Sequence, residues 1–180
     1  MTDESKFIKR LTAASTKEAA FRELLSLYKE RLYWHIRHIV KSHNDADDVL
    51  QNTFIKVYRS IDKFKGDSKL YSWLYRIATN ESITLLNKNA KRLQLSNEDH
   101  QNIMLNNLEA DVYFDGSEIQ LKLQQAINTL PNKQQLVFNM KYFQDLTYKE
   151  MSNILETSEG ALKASYHLAV KKIQKYLTNN

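Results

Sequence analysis

Apolar residues recur every three or four positions along most of this chain, the spacing that lines one face of an α-helix. In "KEAAFRELLSLYKERLYWHIRHIVKS", Phe21, Leu24, Leu25, Tyr28, Leu32, Ile36 and Ile39 form such a stripe. "NDADDVLQNTFIKVYRSI" begins a second helix. Asn44 or Asp45 is placed to cap it, and Asp47 and Asp48 suit its positive N-terminal end. Ala46, Leu50, Phe54 and Val57 share one face of that helix. Asp48, Gln51, Asn52, Lys56 and Arg59 share the opposite face, with Ile55 among them. A solvated face with one stray apolar residue fits this pattern, and so does a polar docking face with one apolar anchor.

"IDKFKGDSKLYSWLYRIATNESITLLNK" opens with a break at Phe64, Lys65, Gly66, Asp67 and Ser68. Leu70, Trp73, Leu74, Ile77 and Leu85 then resume helical spacing, which assigns Trp73 to the core. Ser72, Tyr75, Arg76 and Thr79 point away from that stripe. Glu81 falls on the apolar face with no evident partner.

The last third predicts four helices. Leu121, Leu123, Ile127 and Leu130 mark the first. Pro131 starts the second, where its missing N–H costs nothing, and Gln135, Val137, Phe138 and Met140 continue it. After a break at "QDL", Thr147-Tyr148-Lys149-Glu150 has the form of a capping box, opening a short helix to about Leu155. "ETS" is a turn, and Ser158 caps the last helix. Leu162, Tyr166, Ala169, Ile173 and Tyr176 line its inner side; Gly160, Lys163, Ala164, His167, Lys171 and Gln174 line its outer side. A short helix, a tight turn and a longer helix with a basic outer face make a helix-turn-helix.

Composition supports an all-α chain, since 180 residues contain only 3 Gly and 1 Pro. There is no cysteine, which excludes disulfides and thiolate metal sites and suits a reducing cytoplasm. No signal-peptide pattern and no membrane-spanning apolar run is present. The net charge is +5, and its distribution is uneven. Residues 1–90 carry 16 Lys/Arg against 11 Asp/Glu, residues 91–117 carry 2 against 5, and residues 118–180 carry 8 against 5. Two basic blocks therefore flank an acidic, Asn-rich middle. They are read as two small helical domains, 1–90 and 118–180, joined by a flexible acidic linker, 91–117, with a short helical turn at most.

Basic and aromatic residues interleave from Lys63 to Arg76, a pattern that suits single-stranded nucleic acid, with bases stacked on rings and cations along phosphates. On the last helix, Gly160 and Ala164 permit close approach to a groove, while Lys163, His167 and Lys171 supply contacts. An enzyme is the weaker reading. His35, His38 and His43 lie near one another in sequence, but no carboxylate or Cys completes a convincing metal set. Asp45, Asp47 and Asp48 fit helix capping better than acid–base work.

Both blocks together resemble the bacterial sigma factors of the extracytoplasmic-function group, over nearly the whole chain. "DADDVLQNTFIKVY" is similar to that family's core-polymerase-binding helix. "FKGDSKLYSWLYRIATN" is similar to its segment that opens and reads the −10 promoter element, and "LPNKQQLVFNMKYFQDLTYKEMSNILETSEGALKASYHLAVKK" to its −35-reading domain. The resemblance implies a non-enzymatic, cofactor-free cytoplasmic protein. Its implied partners are core RNA polymerase, promoter DNA as duplex and as non-template single strand, and an anti-sigma factor. It assigns polymerase binding to Asp48, Gln51, Asn52, Ile55, Lys56 and Arg59. It assigns the −10 element to Lys63, Phe64, Lys65, Gly66, Ser68 and Lys69, with Tyr75 and Arg76 on the helix that follows. The −35 element falls to Thr147, Tyr148 and Ser158 of the turn, and to Gly160, Lys163, Ala164, His167 and Lys171 of the last helix. The linker is similar in placement to the segment that threads the polymerase channels. Two positions depart from the family pattern. Asn52 stands where Glu is usual, and Ser165, Leu168 and Val170 stand where three arginines are usual. A free-standing helix-turn-helix regulator of duplex DNA is the alternative. It has no need of Ile55 on a polar ridge or of the aromatic-basic run.

Overall fold

The computed structural model describes residues 3–93 and 118–179, and every element longer than a turn among them is helical. The first domain contains α1 (Asp3–Thr12), α2 (Lys17–Val40), α3 (His43–Ser60), a single 3-10 turn (Ile61–Lys63) and α4 (Leu70–Leu93). The second contains α5 (Glu118–Asn128), α6 (Asn132–Tyr142), α7 (Tyr148–Leu155) and α8 (Glu159–Asn179). The linker beyond residue 93 lies outside the described residues, so the short helical turn expected there is not described.

Helix α1 is an addition to the sequence reading. Its Leu11 is buried and its Phe7 and Ile8 pack on the core. Its Glu4 carboxylate accepts the Leu70 backbone N–H at 2.6 Å, so a residue far away in sequence satisfies a free donor at the start of α4. Ser42, not Asn44 or Asp45, is the N-cap of α3, its hydroxyl accepting the Asp45 N–H at 3.3 Å. Lys41 closes α2 in the left-handed conformation (φ 62°), so the chain turns early and the cap falls on the residue after it. Pro131 occupies the N-cap of α6 rather than its first helical position. The break before α4 turns on Gly66, whose φ of 80° favours glycine. The capping box of α7 forms as its spacing predicts, with Thr147 Oγ1 accepting from Glu150 N–H and Glu150 Oε2 accepting from Thr147 N–H at 2.8 Å. Ser158 Oγ accepts from Ala161 N–H at the start of α8.

Leu24, Leu32 and Ile36 of α2, Ala46, Leu50, Phe54 and Val57 of α3, and Leu70 and Leu74 of α4 are all buried in one core. Phe21, Leu25, Tyr28, Ile77, Leu85 and Trp73 are only partly buried and pack against it. Trp73 is therefore a half-buried wall residue, its ring 5.2 Å from that of Phe64. The second domain divides its apolar residues. Ala126, Ile127, Leu130, Phe138, Ala169 and Ile173 form a core of their own. Val137, Met140, Leu146, Met151, Ile154 and Leu162 join the core of the first domain.

That sharing corrects the reading of α4. Ser72, Tyr75 and Thr79, assigned to its outward face, are buried, and Arg76 is half-buried. Helix α7 packs on α4 and covers that side. The two domains thus meet through the face of α4 that carries Arg76, whereas Tyr75 packs on His35 of α2. Glu81 also finds its account here: its carboxylate pairs with the Lys56 ammonium of α3.

Candidate functional site

Helix α3 turns its apolar stripe inward, which leaves Asp48, Gln51, Asn52, Ile55, Lys56 and Arg59 exposed together. Ile55 is 43% exposed although the rest of its surroundings on this face are polar. Tyr58, three residues on, is 41% exposed and extends the apolar ridge. The signal for Tyr58 in the sequence is its place at i+3 from Ile55 on the same helix. The Tyr58 ring is held against Phe21, 4.9 Å away, with the Lys17 ammonium 5.0 Å from its centroid.

The proposed −10 residues divide into two groups. Lys63, Lys65, Gly66 and Lys69 are exposed on the segment between α3 and α4, with Phe64 and Ser68 half-buried beneath them. Tyr75 and Arg76 lie on the covered side of α4. Tyr75 is 6% exposed and its ring is 4.7 Å from that of His35. Arg76 donates to Glu156 Oε1 at 2.9 Å and also to the Asn153 carbonyl, both at the end of α7.

His35 sits at the centre of this junction, fully buried. Its Nε2 lies 2.8 Å from the Thr79 hydroxyl of α4, and its Nδ1 lies 3.0 Å from Gln144 Oε1 in the second domain. His38 stacks on Phe143 at 4.9 Å, and Asn139 Nδ2 donates to the His38 carbonyl at 3.2 Å. His43 is instead directed to the Tyr33 hydroxyl, 2.6 Å away. The three histidines have separate partners, and among the described residues no group of His, Cys, Asp and Glu could hold a metal ion.

Burial pushes the His35 imidazole down to about 4, against the opposing effect of its hydrogen bond with Gln144. Burial, with the nearby Lys41 charge, takes His38 to about 4 as well. An unfolded histidine takes up its proton near pH ~6.5, so between that pH and about 4 the unfolded chain binds more protons. Stability therefore falls as pH falls through this window. For His35 alone the loss is about 3 kcal/mol by the lower limit. Urea unfolding at pH 7 and at pH 4.5 measures it, and His35→Gln is expected to flatten the dependence. An unaltered acid dependence in that variant would remove His35 as its source.

The helix-turn-helix is formed by α7 and α8, joined at Glu156, a left-handed residue (φ 51°). Thr147 is exposed and Tyr148 half-buried, with the Lys141 and Lys163 ammonium groups 5.9 and 5.6 Å from its ring centroid. Ser158, Gly160, Lys163, Ala164, His167 and Lys171 are all exposed. The same outer surface carries Ala161, Leu168, Lys172 and Lys175. The inner side of α8 buries Leu162, Ala169 and Ile173, with Tyr166 and Tyr176 half-buried beside them. The outward face of α8 is therefore open, whereas the Tyr75–Arg76 face of α4 is closed.

No helix of the described residues is long and apolar enough to cross a membrane. Residues 24–92 match the family model for sigma-70 region 2, and residues 120–173 match that for sigma-70 region 4. The chain is 31% identical over 166 residues to the ECF RNA polymerase sigma factor SigW of Bacillus subtilis (strain 168), covering 88% of this chain and 89% of that protein. It is 29% identical to the ECF RNA polymerase sigma-E factor of Haemophilus influenzae, covering 97% and 94%. Solved structures share the fold, among them two protein complexes. One is the sigma factor RpoE of Bartonella quintana in complex with the anti-sigma factor NepR, with a TM-score of 0.68, 20% identity and coverage of 88% and 96%. The other is CnrH in complex with the cytosolic domain of CnrY, with a TM-score of 0.70, 18% identity and coverage of 98% of both chains. The two matched regions, in this order on one helical chain, and the identity to SigW over most of both sequences establish that the protein belongs to the extracytoplasmic-function (ECF) family of sigma factors.

Proposed function

We propose that the chain binds core RNA polymerase in the cytoplasm through α3, carries the enzyme to promoters, and has no catalytic chemistry of its own. The observation that carries this reading is the apolar ridge of Ile55 and Tyr58 set in an otherwise polar exposed face, on the same chain as an open helix-turn-helix. A duplex-binding repressor has no use for that ridge. Asp48, Gln51, Asn52, Lys56 and Arg59 surround it with hydrogen-bonding and charged groups, as the rim of an interface requires. Asn52 supplies an amide in place of the family's usual carboxylate, so one charged contact becomes neutral.

Residues 1–90 engage the −10 element and residues 118–180 the −35 element, with residues 91–117 crossing the enzyme between them. The linker's acidic character matches a basic channel built for nucleic acid. Lys63, Lys65 and Lys69 track phosphates of the displaced strand, while Phe64, Gly66 and Ser68 form the wall that receives an unstacked base. Arg76 contributes once α7 has left α4, so promoter melting requires the two domains to part, and Tyr75, packed on His35 of α2, supports that face from within. An anti-sigma factor is the partner expected to act on this equilibrium, as the similar Bartonella quintana structure is a complex with one.

Charge reversal at the exposed loop tests the assignment. Lys63→Glu with Lys65→Glu is expected to impair melting of the −10 element more than core binding. The salt dependence of single-strand capture should flatten by at least about 0.7 in logarithmic slope per lysine. Equal loss of melting and of core binding would count against the loop.

A further inference from the structure

Leu168 is a large apolar side chain exposed in the first half of α8, as Leu177 is at its far end. The inward positions of α8 hold its buried apolar residues, Leu162, Ala169 and Ile173, whereas Leu168 is 49% exposed. It shares its edge of the helix with Ala161 and Ala164, at i, i+3 and i+7, and both alanines are exposed too. Lys171, Lys172 and Lys175 flank this streak and are exposed. Glu159 is the sole acidic residue of α8, and it lies in the first turn. The surface is thus an apolar strip within a cationic frame. Such a frame neutralises phosphates, and such a strip has nothing to donate or accept.

Major-groove chemistry limits what the strip can recognise. Guanine is read by paired hydrogen bonds, most often from arginine, and adenine by the amides of Asn or Gln. α8 contains no arginine, and its amides Gln174 and Asn179 lie in its second half. Base contacts in a helix-turn-helix come from the N-terminal part of the second helix, where Ala161, Ala164 and Leu168 stand. The apolar feature of the groove is the 5-methyl group of thymine. At Gly160 an added Cβ would meet nothing within 4 Å, so no packing demand within the protein explains that glycine, and its smallness leaves room for a close base edge.

Resting on the reading of α8 as the −35 helix, we infer that Leu168, with Ala161 and Ala164, is a specificity determinant that selects thymine methyl groups in the −35 element. Lys163 and His167 lie on the other edge of the exposed face and supply its polar contacts.

The test uses the full chain with core polymerase on promoter duplexes randomised across the −35 element. The selected sequences are expected to contain thymine at one or two adjacent fixed positions. Replacing those thymines singly with deoxyuridine removes the methyl and leaves base pairing intact. Affinity should fall about three- to five-fold per methyl, the transfer cost of one buried methyl-sized group. In the Leu168→Ala protein, whose exposed position spares the fold, that penalty should vanish, and Leu168→Arg should shift selection toward guanine. Deoxyuridine without effect, or with the same effect in Leu168→Ala, overturns the inference while a selected −35 sequence leaves the promoter reading standing. If no −35 sequence is selected, both are overturned.

Discussion

Replacing Ile55 with glutamate is expected to lower affinity for core RNA polymerase by roughly 30- to 1,000-fold, the effect of about 2–4 kcal/mol at an interface hot spot. The fold should not change. Ala46, Val49, Leu50, Phe54 and Val57 anchor α3 from its other side, and Ile55 touches none of that work because it faces solvent. An exposed substitution away from the core shifts stability by no more than about 0.5 kcal/mol. Binding to core polymerase and thermal unfolding, measured on the same preparation, separate the two effects. Lost binding with an unchanged melt supports the ridge as the anchor. Full affinity in Ile55→Glu would move the polymerase contact elsewhere. Lys56 is a poorer probe, because its ammonium is already paired with Glu81 and its loss also disturbs α4.

Tethering α4 to α7 is expected to reduce promoter melting to the level of core polymerase alone. The chain has no cysteine, so Arg76→Cys with Glu156→Cys provides two unique sites for a cleavable bis-maleimide. These positions face each other in the closed arrangement, where the Arg76 guanidinium lies 2.9 Å from the Glu156 carboxylate. The ion pair itself is half in solvent and contributes at most about 1 kcal/mol. The shared core holds the domains together: Met151 and Ile154 of α7 are buried with Leu74 and Ala78 of α4. A covalent tether removes the open state that polymerase would otherwise select. Binding of α8 to duplex −35 DNA should persist, because its outer face is exposed while the domains are together. The untethered double variant supplies the baseline, and cleavage of the linker should restore melting to it. Equal melting before and after cleavage would show that the two domains need not part for melting.

Much of this architecture is legible in the amino-acid order because its cause is local. The α7 capping box depends on residues three apart, and Thr147 and Glu150 satisfy each other as the spacing requires. The stripe of α3 and the two sides of α8 follow from helical periodicity alone. What periodicity missed depends on residues distant in sequence. Ser72, Tyr75 and Thr79 are polar or amphipathic, so they read as an outer face. Tyr75 and Thr79 are buried because His35 of α2 packs on the one and bonds to the other, and Gln144 of the second domain bonds that same histidine. Glu4 at the start of α4 and Lys56 beside Glu81 are likewise pairings across the fold. Ser42 outcompeted Asn44 and Asp45 as a cap because Lys41 takes the left-handed conformation without a glycine. On the DNA side, Leu168 belongs to neither of the two sides that periodicity assigns to α8, and its exposure reveals a surface in its own right.

The central claim, that this chain confers promoter recognition on RNA polymerase through two separate surfaces, is tested most directly by run-off transcription with purified core enzyme on a promoter library. The account predicts transcripts from a specific subset of promoters, dependent on the added chain and lost with Ile55→Glu. Specific duplex binding by the chain alone, with neither core binding nor specific initiation, would contradict it and favour a free-standing regulator.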